Sequence, residues 1–139
     1  MKKVIKVMMF VWRKTANGAD FLLVHRRKGD VVTPTGHVEE VPKESFEEAV
    51  KREIKEEMGV LPLAIIDLNY TIQAKLKEMG YLSTEHAFLV QVPAEGAKYV
   101  ENDEPSTWHN LDELSKLMTY PTQKGAIKNI EAYFRSIKN

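Results

Sequence analysis

Cysteine is absent from all 139 residues. That excludes disulfides, thiolate metal sites and cysteine nucleophiles. An excess of one charge sign is missing too, since 20 Lys and Arg balance 20 Asp and Glu. A chain that coats a nucleic-acid polymer needs a basic surplus, so no such partner is expected. No apolar run reaches the roughly 18 to 20 residues of a membrane span, so no membrane partner is expected either. The opening MKKVIKVMMFVW joins lysines to apolar residues, but Lys6 interrupts the stretch and no small-residue cleavage site follows. A first β-strand is therefore expected there, not a signal peptide. Repeats, low-complexity tracts and Pro/Gly/Ser linkers are lacking as well. What the chain does have is 43% hydrophobic and 29% charged residues, enough for a core and unlike a disordered chain. A single soluble, cytoplasmic domain over residues 1–139 is expected.

Val4 to Trp12 is rich in β-branched and large apolar residues, as strands are. Asn17-Gly18 signals a turn, Phe21 to Val24 a returning strand, and Val31-Val32 a short strand before the loop Thr33-Pro34-Thr35-Gly36. The period then changes. Phe46, Val50, Ile54 and Met58 recur every four residues, predicting a helix from Ser45 to Met58 with a capping box at Ser45/Glu48 and a C-cap at Gly59. Strand-like runs follow near Leu63 to Ile72 and Ala87 to Val92, separated by a turn containing Met79-Gly80. A short strand at Thr107-Trp108, a small helix from Leu111 to Leu117, a break at Pro121 and a last amphipathic helix carrying Ile127, Ile130, Phe134 and Ile137 complete the pattern. The order predicts an α+β fold, a mixed sheet with helices packed against it.

On a helical wheel Glu53, Glu56 and Glu57 fall within an arc of roughly 100°. Like charges one turn apart repel and disfavour the helix. Lys51 and Lys55 point elsewhere, leaving Arg52 as the cation beside the stripe. Such a concentration of hard oxygen donors suits a divalent cation, Mg²⁺ or Mn²⁺ before Zn²⁺, because neither cysteine nor histidine joins it. Glutamate-rich surface helices are common, so the stripe alone is ambiguous. The full string, Arg-Glu-aliphatic-x-Glu-Glu-x-Gly-aliphatic, is not: it arises by chance with a probability on the order of 10⁻⁴ to 10⁻⁵.

The segment from Gly36-His37-Val38-Glu39 through Glu44 to Arg52-Glu53-Ile54-Lys55-Glu56-Glu57-Met58-Gly59-Val60 resembles the signature G-x5-E-x7-R-E-U-x-E-E-x-G-U (U, aliphatic) of the Nudix hydrolases. These include small MutT-type enzymes that cleave nucleoside diphosphates linked to another moiety. The second half matches at every specified position. In the first half seven residues separate Gly36 from Glu44 instead of five, a two-residue insertion within Glu40-Val41-Pro42-Lys43. The resemblance implies an α/β/α sandwich in which the signature forms a loop-helix-loop. It implies Glu56 and Glu57 as metal ligands with the Gly36 carbonyl nearby, and Glu53 as a ligand or the water-activating base. Arg52 and Glu44 would brace each other, as groups that orient metal ligands do.

The expected function is metal-assisted attack of water on a phosphoanhydride, with a nucleoside triphosphate or dinucleoside polyphosphate as substrate. The alternative is a nucleotide-binding or sensing module with little catalysis. In relatives a further carboxylate reaches the site from the loop before the last strand. Glu101 is the first candidate, then Glu104 and Glu85. Arg26, Arg27 and His37 are candidates for substrate phosphates, the plain alternatives being a solvated hairpin end for the two arginines and an ordinary loop histidine for His37. His25, His86 and His109 read as structural, and Trp12, Tyr70, Tyr81, Phe88 and Trp108 as core aromatics or a base-stacking face. The tyrosine and proline that mark two family branches downstream of the signature are not found at Lys75, Leu76, Lys77 or Glu78. Monomer and homodimer both stay open.

Overall fold

The computed structural model describes residues 2–76 and 79–137. Lys77 and Glu78, two of the branch-marking positions, lie outside these. The first strand, β1 (Lys2–Thr15), turns through Ala16-Asn17 into β2 (Gly18–His25), and two short strands follow, β3 (Val31–Val32) and β4 (Thr35–His37). The helix α1 (Phe46–Met58) leads to the long strands β5 (Ala64–Leu76) and β6 (Tyr81–Gln91). A 3₁₀ turn at Glu101–Asp103 precedes β7 (Ser106–His109), and the chain closes with helices α2 (Leu111–Leu117), α3 (Pro121–Lys124) and α4 (Ile127–Ile137).

The strands form one sheet in the order β3-β2-β1-β6-β5, with β4 also on β1 and β7 on β2. β1 and β6 run parallel while the other pairs are antiparallel, so the sheet is mixed. β1 is apolar without interruption from Val7 to Val11 because both of its faces are covered. Met8 and Phe10 pack with Leu89, Leu114, Ile127 and Ile130, the side of α2 and α4. Val7, Met9 and Val11 pack with Val50, Ile54 and Met58 of α1 on the other side. Helices thus flank the sheet on both faces, the sandwich that the resemblance implied.

The helix α1 begins and ends where its sequence dictates. Glu48 N–H donates to Ser45 Oγ (3.1 Å), Ser45 N–H donates to Glu48 Oε1 (2.9 Å), and Gly59 takes the left-handed conformation (φ 69°) as C-cap.

Two local expectations need correction. The loop at Thr35-Gly36 is a strand, since Gly36 stands opposite Val7 in the β1–β4 ladder. Pro121 opens a helix instead of only ending one, as a proline at the first helical position can. Phe46, at the start of the apolar stripe of α1, is 39% exposed, and its ring lies on His86 at 4.9 Å. The run near Leu63 to Ile72 is also broken by a bulge between Asp67 and Thr71, which Asn69 enters with φ 53°. No helix among the described residues is long and apolar enough to cross a membrane.

Candidate active site

A cavity of about 750 Å³ opens where β4, the inner side of α1, the end of β2 and the 3₁₀ turn meet. Gly36, His37, Glu53, Glu57, Tyr99 and Glu101 are among its walls. The helix register sends its three carboxylates to different depths. Glu57 is only 4% exposed, Glu53 is largely covered, and Glu56 reaches solvent. The closest approach is at Gly36, where a Cβ would stand 2.6 Å from Glu53 Cγ and 2.8 Å from its Oε1. Only glycine lets β4 lie this near the helix.

Arg52 organises the surroundings. Its Nε and Nη2 donate to the two carboxylate oxygens of Glu44 (2.8 and 2.9 Å), its Nη1 to Glu53 Oε1 (2.8 Å), and its Nη2 also to the carbonyl of His37 (2.8 Å). One guanidinium thereby joins the loop, β4 and α1. The insertion does not disturb this pairing. Glu44 N–H donates to the Glu39 carbonyl (3.0 Å), Glu39 N–H donates to Glu44 Oε1 (2.9 Å), and Glu40 and Lys43 bridge between them. The extra residues are pinched off outward, with Val41 91% exposed. The Arg52 guanidinium holds the Glu44 carboxyl below its usual range, and Glu44 in turn raises the pKa of Arg52.

Glu101 arrives through a tertiary contact. Val100 N–H donates to the Glu57 carbonyl (2.9 Å), which docks the 3₁₀ turn on the end of α1. Arg27 fixes the turn from the other side, its Nη2 donating to the Asn102 carbonyl (2.9 Å) and its N–H to Glu104 Oε2 (3.2 Å). Glu101, Asp103 and Glu104 all border the cavity. Glu85, the third candidate, is not in its walls and accepts from Ser83 Oγ at 3.2 Å.

Burial pushes the Glu57 carboxyl up to about 9, and the charges of Glu53, Glu101 and Glu56 add to the effect. A carboxyl in that state is neutral at physiological pH unless positive charge is brought to it. Its Oε2 is buried without a hydrogen-bond partner. An all-oxygen donor set with one orphaned, desolvated oxygen fits a hard divalent cation. Among the described residues no three His, Asp or Glu side chains already stand at caging distance, because Glu53 is drawn to Arg52 and Glu56 faces outward.

Of the remaining candidates, Arg26, Arg27 and His37 all border the cavity. Arg26 also pairs with Asp30 at 3.3 Å. The histidines read as structural have partners. His25 and His109 share Thr107 Oγ1 (2.7 and 2.6 Å), and His86 bonds Thr71 (2.7 Å) and Asp67 (3.0 Å). None of the five aromatics named from the sequence lines the cavity; Tyr99 does. Its phenol is raised by burial and then by Glu57, Glu101 and Glu104, so it stays protonated among carboxylates. Nothing in the local sequence marked Tyr99. Lys6, also in the wall, was legible only as a charge interrupting an apolar strand.

Solved structures share this architecture. A NUDIX protein from Listeria monocytogenes superimposes with a TM-score of 0.82 at 17% identity, covering 95% of this chain and 94% of that one. An Ap4A hydrolase from C. elegans, in a binary complex, gives 0.78 at 20% identity, covering 96% and 98%. The NUDIX domain of NrtR from Shewanella oneidensis, complexed with ADP ribose, gives 0.74 at 17% identity, covering 96% and 90%. At these identities the likeness speaks for the fold. The family model described as NUDIX domain matches residues 2–130, and the chain therefore belongs to the Nudix family.

Proposed function

We propose that this hydrolase of phosphoanhydride bonds is a divalent-metal-dependent pyrophosphohydrolase of a nucleotide, either a nucleoside triphosphate or a dinucleoside polyphosphate. One observation carries the reading: the buried Glu57 carboxyl, with an orphaned oxygen, beside Glu53 and Glu101 in the wall of a large open cavity. Glu53, Glu56 and Glu57, with Glu101 and the Gly36 carbonyl, would hold Mg²⁺ or Mn²⁺. Such an ion neutralises phosphate oxygens and acidifies a water. Glu53 is a ligand or the base that takes the proton from the attacking water, a step typically worth ~10² to 10⁴ in rate. Arg52, anchored on Glu44, keeps Glu53 aimed at the cavity. Arg26, Arg27 and His37 face the substrate phosphates from the other walls. A cytoplasmic site of action, with no nucleic-acid polymer as partner, belongs to the same reading.

The test is product identification across a nucleotide panel, with and without Mg²⁺ or Mn²⁺. Metal-dependent release of a phosphorylated product is expected, and Glu57→Gln should lose most turnover while melting like the parent. Ligand-induced melting shifts without products would establish the binding-module alternative instead. Turnover that ignores chelation would overturn the metal assignment.

A further inference from the structure

The cavity's cations are not equally available. Arg26 pairs with Asp30 at 3.3 Å, and the Arg27 guanidinium donates to the Asn102 carbonyl at 2.9 Å. Lys6 differs. Its half-buried side chain lines the same cavity, yet among the described residues its ammonium has neither a hydrogen bond nor an ion pair. A carboxylate is at hand, since Glu85 stands beside Lys6 in the parallel β1–β6 register, but Glu85 accepts from Ser83 Oγ and forms no ion pair with Lys6. On the other edge of β1, Lys6 stands directly opposite His37, so both side chains share one face of the sheet. Both are walls of the cavity. An ammonium with no partner in the wall of an open cavity is available to an anion, and a compact, multiply donating ammonium suits phosphate oxygens.

We infer that Lys6, backed by His37, receives the part of the substrate's phosphate chain that extends beyond the carboxylate wall. This makes Lys6 a determinant of selection for long phosphate chains. The inference rests on the proposed reading, because it takes the substrate to be a polyphosphate. It places the selective contact on β1, with a residue that belongs neither to the signature nor to the Arg26-Arg27 pair.

Calorimetric binding of inorganic tripolyphosphate and of pyrophosphate, each with Mg²⁺, tests it in the 139-residue chain. Lys6→Met should weaken tripolyphosphate binding about tenfold or more and pyrophosphate binding much less. Lys6→Arg should keep most of the affinity. Lys14→Met, which removes an exposed lysine further along the same strand, controls for net charge and should change neither. If Lys6→Met melts early, Lys6→Gln is read by the same criteria. Equal losses for both anions, an unchanged tripolyphosphate affinity, a similar loss in Lys14→Met, or no binding to the parent protein would each overturn the inference. Nucleotide turnover by the parent is scored separately. An inactive parent with Lys6-dependent anion binding defeats the proposed activity and spares this site, whereas an active parent with Lys6-independent binding does the reverse.

Discussion

Glu44 and Arg52 form a two-pronged ion pair, Nε to Oε2 at 2.8 Å and Nη2 to Oε1 at 2.9 Å, which ties the loop before α1 to the middle of that helix. The same guanidinium reaches Glu53 and the His37 carbonyl, so one planar group sets the distance between β4 and the carboxylate stripe. Lysine carries the charge but not the planar fork. Arg52→Lys should therefore lower kcat about 10- to 100-fold, the usual cost of losing a group that orients ligands. Circular dichroism should show the fold kept. Unchanged steady-state kinetics would mean that the fork does not position the site.

The Glu44 pairing also predicts a pH dependence of stability. The folded state holds the Glu44 carboxyl below its ordinary value of 4.5, chiefly through the hydrogen bonds from Arg52. Folding thus favours the ionised form. The stabilisation is complete above the unfolded-chain value and is lost as pH falls through the folded one. Glu44→Gln should cost ~1 to 2 kcal/mol near neutral pH. In urea titrations the gap should close progressively as the pH falls below the ordinary carboxyl value of 4.5. A gap that persists in acid would assign the effect to packing.

Gly36 is needed for its missing side chain. A Cβ there would stand 2.6 Å from Glu53 Cγ, well inside contact distance, and Glu53 would have to move. Gly36→Ala should reduce turnover by at least tenfold, since displacements near 1 Å are costly in active sites. Thermal melting should shift by only a few degrees, because the neighbour is a side chain and not backbone. A collapse of stability with normal specific activity would contradict this.

The insertion is closed off by the Glu39–Glu44 bonds and carries the exposed Val41 at its tip. Deleting Val41 and Pro42 restores the family spacing. It should leave kcat/KM within about threefold, the pair of Glu44 and Arg52 being independent of the tip. A large loss for one nucleotide only would make the loop a substrate contact.

Much of the site was legible before any fold was known. The capping box, the glycine C-cap and the four-residue apolar period are local, so they fixed α1 to within a residue, and the signature placed Arg52, Glu53, Glu56 and Glu57 on it. Phe46 and Glu57 show where the pattern misleads. Periodicity and the helical wheel assign a face but no depth: Phe46 shares its period with the buried Ile54 yet is 39% exposed, and Glu57 shares an arc with the exposed Glu56 yet is 4% exposed.

What the amino-acid order settled alone was chemical inventory and local geometry: no thiols, an acidic helix face, caps, and a glycine upstream. Depth and encounter were decided by tertiary packing. The bond from Val100 to Glu57 brings Glu101 to the helix across many residues of chain. The β1–β4 ladder sets Lys6 opposite His37. The sheet's position over α1 desolvates one glutamate and spares its neighbour. Such relations join residues distant in sequence, and burial and electrostatic environment belong to the assembled fold, so no local spacing could encode them.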